Sequence, residues 1–389
     1  MYSKKKIIKY LILILAILIL LVVLLTQIGD IKKIVNVFAS GFNAWWLVAC
    51  FGLILLYCFV YKLPLIILVK RHYKNLKFKD LYFISGSEFF FNAVTPFASG
   101  GQPFQAYALK QKNVSLADST SDLLLNFLAY QVALNIVSGV CAIVFFNRLH
   151  SEIDNFIILF IVGFSINFLI MILLLLLGTS KTFGKALIKL ISLICIIKPI
   201  KKLVGDKTDS ITQYVNDMQT AFKNMKKDML TWFLCLFIKV VANVIYYCIP
   251  FLGFYVINNG IDSKEFFYCF ALTSFSLTTT IWVPLPGASG GVELAFLVLF
   301  KKLITDSGAS DPDSVAQSGM LLWRFLTYYF VLIYGLIDYI IFDTTMTKEL
   351  KLLQANDKNN QVNSENTDEI SEEIDNNYLN EDNKSDIIK

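Results

Sequence analysis

Thr95-Pro96-Phe97-Ala98-Ser99-Gly100-Gly101-Gln102-Pro103 and Pro284-Leu285-Pro286-Gly287-Ala288-Ser289-Gly290-Gly291-Val292-Glu293 are the two stretches that decide how this chain folds. Both contain Pro-x-Ala-Ser-Gly-Gly, with the prolines 190 residues apart. Each follows an apolar run of helical length and leads into a short run ending in lysines, Lys110/Lys112 and Lys301/Lys302. Proline and paired glycines break a helix. Inside a membrane, broken backbone is tolerated only where protein or a water-filled cavity satisfies its polar groups.

The membrane setting follows from composition. Of 389 residues, 56% are hydrophobic and 17% charged, and the mean hydropathy is +0.59. Soluble domains hold roughly 45–50% apolar residues. Apolar runs of about 20 residues, enough to cross a hydrocarbon layer, recur along the chain. The seven cysteines (Cys50, Cys58, Cys141, Cys195, Cys235, Cys248, Cys269) stand singly in apolar stretches and read as small core hydrophobes. With His72 and His150 the only histidines, there is almost no material for a metal centre or a Ser/His/Asp triad. No catalytic residue, metal or cofactor is expected.

Charge sets the topology. The first apolar run, Ile7–Ile28, follows Lys4, Lys5, Lys6 and Lys9, which suits a cytoplasmic N-terminus; it is too long for a signal-peptide core and lacks a small-residue cleavage site. The second, Trp45–Val69, runs into Lys70, Arg71, Lys74, Lys77 and Lys79 with no acid among them, again a cytoplasmic end. Further spans are expected at Leu123–Phe146, Phe156–Gly178, Leu230–Ile257 and Gly319–Phe342. The loop Lys181–Asp228 carries ten lysines against four aspartates. Its Lys185–Val204 stretch alternates apolar residues with lysines, as a helix on an anionic leaflet or a solvated cytoplasmic helix would. Residues 349–389 hold eleven acids and four lysines, a composition that cannot bury enough apolar surface to order itself. The expected fold is an all-α polytopic membrane protein of about six full transmembrane helices plus two inverted re-entrant hairpins, residues 1–345, with an acidic disordered cytoplasmic tail, 346–389. Both termini are then cytoplasmic.

On that topology the first broken segment enters from the cytoplasmic face and the second from the outer face. An inverted pair of Gly/Pro-interrupted segments points to a transporter's binding site near the bilayer midplane. Paired glycines can curl successive N–H groups toward an anion, and a helix starting after them adds its positive end. Pro96, Ser99, Gly100, Gly101, Gln102, Pro286, Ser289, Gly290 and Gly291 are therefore candidate lipid headgroup ligands, a phosphate being the natural anion. The bland alternative is that Gly-Gly only lets helices pack closely. Lys239 lies nine residues inside its span, roughly 14 Å from the start, and Arg324 lies nearer an outer end; buried cations are functional candidates by default. Both join the headgroup set. Glu88 and Glu293 flank the breaks as charge-pairing or coupling acids, with no partner assignable from sequence. Gln131, Asn135 and Ser138 share one helical face.

The paired motifs, with Tyr107, Leu109 and Arg324, resemble the flippase-like membrane domain of bacterial lysylphosphatidylglycerol synthases, also called multiple peptide resistance factors. The likeness spans roughly residues 5–345. It implies an α-helical lipid translocase in the bacterial inner membrane, which in full-length synthases moves aminoacylated phosphatidylglycerol to the outer leaflet and lowers attraction of cationic antimicrobial peptides. After the last span only the polar tail follows, with no aminoacyl-transferase domain, so any lysyl transfer is expected to come from another polypeptide. Three readings stay open: a flippase or scramblase for anionic or aminoacylated phospholipid, a phosphatidylglycerol lysyltransferase component, and an ion-coupled transporter of a small anion. Phospholipids and a separate lipid-modifying enzyme are the expected partners, and nucleic acid is not.

Overall fold

The computed structural model describes residues 31–153, 156–194, 208–258, 260–280, 283–349 and 352. The Ile7–Ile28 run, most of the acidic tail and residues 195–204 of the lysine-alternating stretch lie outside the described residues. The structure is all-helical among the described residues. The elements are α1 (Ile31–Ser40), α2 (Ala44–His72), α3 (Phe78–Val94), α4 (Gly101–Gln111), α5 (Leu116–Val144), α6 (Phe146–Glu152), α7 (Phe156–Thr179) and α8 (Lys181–Ile194). They continue as α9 (Thr208–Lys227), α10 (Met229–Tyr247), α11 (Ile249–Val256), α12 (Phe266–Thr280), α13 (Gly291–Asp306) and α14 (Pro312–Arg324). Short 3-10 turns, Pro96–Ala98 and Pro286–Ala288, sit between α3 and α4 and between α12 and α13.

Five described helical stretches are long and apolar enough to cross a bilayer: Ala44–His72, Leu116–Val144, Ile161–Thr179, Met229–Val256 and Pro312–Glu349. These are the five spans expected there. Two carry interruptions that hydropathy does not reveal. The Met229–Val256 span breaks at Cys248, where Pro250 lacks the N–H an unbroken helix would use. The last span widens into a π-helical stretch, Phe325–Phe330, directly after Arg324; such bulges mark functional sites often enough to note.

Caps explain the helix starts. Asn43, Asp228 and Asp311 accept hydrogen bonds from the N–H groups of Trp45, Thr231 and Ser314, and Ser115 from that of Asp118. The cap of α2 is buttressed from α11, as the Asn43 N–H donates to the Val256 carbonyl at 2.9 Å.

These junctions also fix which helix ends lie together. At one end of the bundle, Arg71 of α2 reaches Asp122 of α5 at 3.7 Å and Asp228 before α10 at 3.8 Å. Tyr73 donates to Asp118 at 2.7 Å, and Lys112 after α4 pairs with Asp80 of α3 at 3.0 Å. The base of the α3–α4 hairpin is therefore at this end. At the other end, Arg148 of α6 pairs with Glu265 just before α12 at 2.6 Å, and Lys301 of α13 with Asp313 of α14 at 3.4 Å. The base of the α12–α13 hairpin is there. The two hairpins enter from opposite ends, and their tips, the turns Pro96–Ala98 and Pro286–Ala288, pack against one another. The inverted arrangement expected from the motifs is the one observed.

The apolar core is largest beside the second hairpin, where Phe254, Phe296, Phe300 and Trp323 stack, Phe296 and Phe300 at 4.0 Å between ring centres. Gln131, Asn135 and Ser138 face inward; Gln131 donates to the Asn167 carboxamide of α7 at 3.2 Å and Ser138 meets Thr278 of α12 at 2.8 Å, while Asn135 donates to the Gln131 carbonyl of its own helix. The Ser/Thr run of α12 mostly bonds its own backbone one turn back.

At Gly335 the last span touches α3 backbone to backbone, since a Cβ there would lie 2.5 Å from Phe90 N and 3.1 Å from Gly86 O. Gly335→Leu is expected to destabilise the protein by about 1–3 kcal/mol through overpacking. Gly52→Leu, whose Cβ meets nothing within 4 Å, should leave thermal unfolding in detergent nearly unchanged. Equal melting temperatures for the two variants would contradict this packing.

Candidate functional site

Both turns share one backbone shape. Phe97 and Ala98 have φ of 54° and 49°, and the corresponding Gly287 and Ala288 have 62° and 51°. Left-handed backbone at a non-glycine residue costs of order 1–3 kcal/mol and persists only where its surroundings enforce it. Here the enforcement is visible. The Tyr328 ring lies against Gly287, where a Cβ would approach it to 2.2 Å, while its hydroxyl donates to the Ala93 carbonyl at 2.9 Å. One side chain of the last span thus braces both hairpins.

The polar groups freed by each break find acceptors nearby. In the first hairpin the Gly100 N–H donates to Thr95 Oγ1 and the Gly101 N–H to Asn92 Oδ1, both at 2.9 Å. In the second, the Gly290 N–H donates to Glu293 Oε2 at 2.7 Å. These three donors hold the turns, whereas the sequence suggested N–H groups open to a ligand anion. The difference arises because Thr95, Asn92 and Glu293 stand within about two turns of their glycines and reach them first. Ser99 and Ser289 likewise donate to the carbonyls of Pro96 and Pro286 at 2.9 Å.

Arg324 and Glu293 are brought together. The guanidinium Nε lies 2.7 Å from Glu293 Oε1, both side chains being buried, and Nη2 donates to the Gly287 carbonyl at 3.1 Å. The same guanidinium covers the Tyr328 ring at 4.3 Å. Glu293 therefore caps Gly290 and neutralises Arg324 at once. Lys239 is elsewhere: it donates to the Tyr61 carbonyl at 3.0 Å and rests 3.4 Å from the Tyr61 ring centre. Glu88 accepts from Asn92 Nδ2 and Gln105 Nε2, each at 3.2 Å, and from the Tyr61 hydroxyl at 3.5 Å. Gln102 lies beside the first turn, on a groove of about 410 Å³ with Phe97, Ser99, Pro103 and Phe127. Gly291 lines an apolar groove of about 250 Å³ with Phe275, Leu294 and Val298.

A cavity of about 220 Å³ lies where the turns meet, with Ala98 of the first and Gly287 of the second in its wall. Its lining is dominated by Tyr57, Tyr61, Tyr130, Tyr246, Tyr247 and Tyr328, with Phe89, Asn92 and Asn243. Tyr57 packs on Tyr246 at 4.9 Å between ring centres. The Asn243 amide nitrogen has no hydrogen-bond acceptor among the described residues. Sequence reasoning did not single out these tyrosines, whose positions come from four separate helical stretches.

It also missed a second buried ion pair. Lys62 contacts Asp338 directly, with the Tyr82 ring centre 3.7 Å and the Tyr334 ring centre 4.3 Å from its ammonium. Lys62 is fully buried. Asp338, an acid inside the last apolar run, was the available signal.

The family described as the lysylphosphatidylglycerol synthase TM region matches residues 7–335. The chain belongs to that family. No curated protein and no solved structure matches it. Within this lysylphosphatidylglycerol synthase TM region the Arg324–Glu293 pair is the charged clamp of the second break.

Removing one member of a buried pair strands the other charge, at a cost of about 3–5 kcal/mol. Arg324→Met should lose that much stability, and Arg324→Met with Glu293→Gln should regain most of it. A double-mutant cycle on unfolding in detergent measures the coupling, and additive losses would contradict the clamp.

Proposed function

We propose that this protein is a lipid translocase for anionic or aminoacylated phospholipid such as lysyl-phosphatidylglycerol, its headgroup passing through the cavity at which the two turns meet. The observation that carries this reading is the meeting of two oppositely rooted hairpins at one tyrosine-lined chamber. Clustered phenol rings suit an ammonium group through cation–π attraction, and the free Asn243 N–H suits an ester or phosphate oxygen. The apolar grooves beside the turns are suited to acyl chains that stay in lipid while the headgroup moves. The turn residues, with Lys239 and Arg324, shape and polarise the passage.

The setting we propose is the bacterial inner membrane with both termini cytoplasmic. The end holding Lys70, Arg71, Lys74, Lys77 and Lys79 is the cytoplasmic one under the positive-inside rule. Lowered attraction of cationic antimicrobial peptides follows if the lipid moved is a cationic one. Aminoacyl transfer itself we assign to a separate lipid-modifying enzyme that supplies the substrate, which also accounts for the family's description as part of a synthase.

The test is translocation of labelled lysyl-phosphatidylglycerol and phosphatidylglycerol in proteoliposomes. Tyr130→Leu and Asn243→Leu are each expected to slow the aminoacylated lipid about tenfold, the worth of roughly 1–2 kcal/mol from a cation–π contact or a hydrogen bond. No movement of either lipid by the unmodified chain would refute the translocase reading.

A further inference from the structure

Glu88 and Glu293 are both buried acids beside a break, yet they are held differently. Glu293 is locked by the Arg324 guanidinium at 2.7 Å and by the Gly290 N–H at 2.7 Å. Glu88 is held by neutral donors: Asn92 on its own helix, Gln105 from α4, and the Tyr61 hydroxyl from α2. No cation stands within ion-pair distance of it among the described residues.

The ionisable groups around Glu88 come from four elements. Tyr61 of α2 and Tyr130 of α5 face it, and Lys239 of α10 acts on it across the Tyr61 ring. Lys62 and Asp338 lie against Gly86, two residues earlier, but neutralise one another. From α4, the Gln105 amide and the Gly101 backbone lie against it. Tyr61 and Asn92 also line the central cavity, so Glu88 lies one side chain behind its wall with a phenol and an amide between.

Two further observations tie this carboxyl to the shape of the first hairpin. Asn92 donates to Glu88 Oε1 while its own Oδ1 accepts the Gly101 N–H, so the carboxylate orients the amide that caps α4. Gln105 is fully buried; its Nε2 bridges Glu88 Oε2 and the Ser85 carbonyl at 3.2 and 3.1 Å. The Gln105 Oε1, by contrast, has no hydrogen-bond partner among the described residues. A buried acceptor left unmade is costly, and a proton on Glu88 would satisfy it.

We propose that Glu88 is a proton-binding site whose occupancy switches the α3–α4 hairpin between two hydrogen-bonded states. In the charged state Gln105 Nε2 ties α4 to both Glu88 and Ser85. When a hydronium ion in the cavity gives its proton to Oε2, leaving water, the carboxyl O–H becomes a donor. Rotation of the Gln105 amide then places its orphan Oε1 as acceptor and withdraws Nε2 from Ser85, loosening α4 on α3 beside the first turn. Loss of the proton to cavity water reverses the exchange. Glu293 is instead paired with the Arg324 guanidinium and the Gly290 N–H, so the exchange belongs to the first hairpin. The proton site stands on this geometry; its use as the coupling ion for headgroup movement rests on the translocase reading.

Infrared pH-difference spectra of the full chain in nanodiscs, between about pH 5 and about pH 9, read the site directly. A carboxylic acid C=O band that titrates should disappear in Glu88→Gln, persist in Glu293→Gln, and shift in frequency in Gln105→Leu, which folding checks by thermal melting accompany. Glu88→Asp, which keeps the acid, should retain a displaced band. No titrating band in the unmodified chain, or one indifferent to Glu88→Gln, would overturn the proposal. In proteoliposomes an imposed pH gradient should change the lipid rate about fivefold or more, and Glu88→Gln should abolish that dependence. Lipid movement indifferent to the gradient removes the coupling role. A titrating Glu88 band with no lipid movement supports the proton site and removes the translocase reading instead.

Discussion

A helix broken inside a bilayer exposes N–H and C=O groups that hydrocarbon cannot satisfy, and this constraint organises the whole protein. Each break here is repaired locally, by Thr95 and Asn92 in one hairpin and by Glu293 in the other. Repair is not enough to hold left-handed backbone at Phe97, Ala98 and Ala288. That requires the turns to lean on each other and on Tyr328, so each tip helps to hold the other.

Rooting the hairpins at opposite ends gives the arrangement its directional character. Arg71 and Tyr73 tie the end of α2, from which the first hairpin starts, to the starts of α5 and α10, and Lys112 closes that base on Asp80, while Arg148 and Lys301 tie the second base to α6 and α14. The halves correspond in backbone but not in electrostatics. A charged clamp of Arg324 and Glu293 fixes the second break, and a neutral amide and hydroxyl network fixes the first. A repeat built this way has one rigid arm and one whose hydrogen bonds can be rearranged at smaller cost, because no buried ion pair has to be separated.

Much of this was legible in the sequence. Pro-x-Ala-Ser-Gly-Gly repeated in matching contexts gave the two breaks, apolar run length gave the spans, and loop lysines gave opposed hairpin entry. Glu88, Glu293, Lys239 and Arg324 were recognisable because ionisable residues deep in apolar runs are expensive. What could not be read was partnership. Arg324 lies 31 residues from Glu293, and Lys62 lies hundreds of residues from Asp338; periodicity within one helix carries no information about which helix packs beside it. The tyrosine lining escaped for the same reason, since each ring alone is an ordinary membrane aromatic. The glycine N–H groups looked open because their caps, a threonine, an asparagine and a glutamate, are residues that serve equally well elsewhere. The breaks inside the Met229–Val256 span and at Phe325–Phe330 escaped because neither lowers hydropathy.

Opposed entry of the hairpins can be measured without knowing the transported molecule. In a cysteine-free background, single cysteines at Lys79, at the base of the first hairpin, and at Asp262, at the base of the second, would be treated with a membrane-impermeant maleimide in sealed vesicles of both orientations. The account predicts that each position reacts from one side only and that the two sides are opposite. Labelling of both positions from the same side would contradict it.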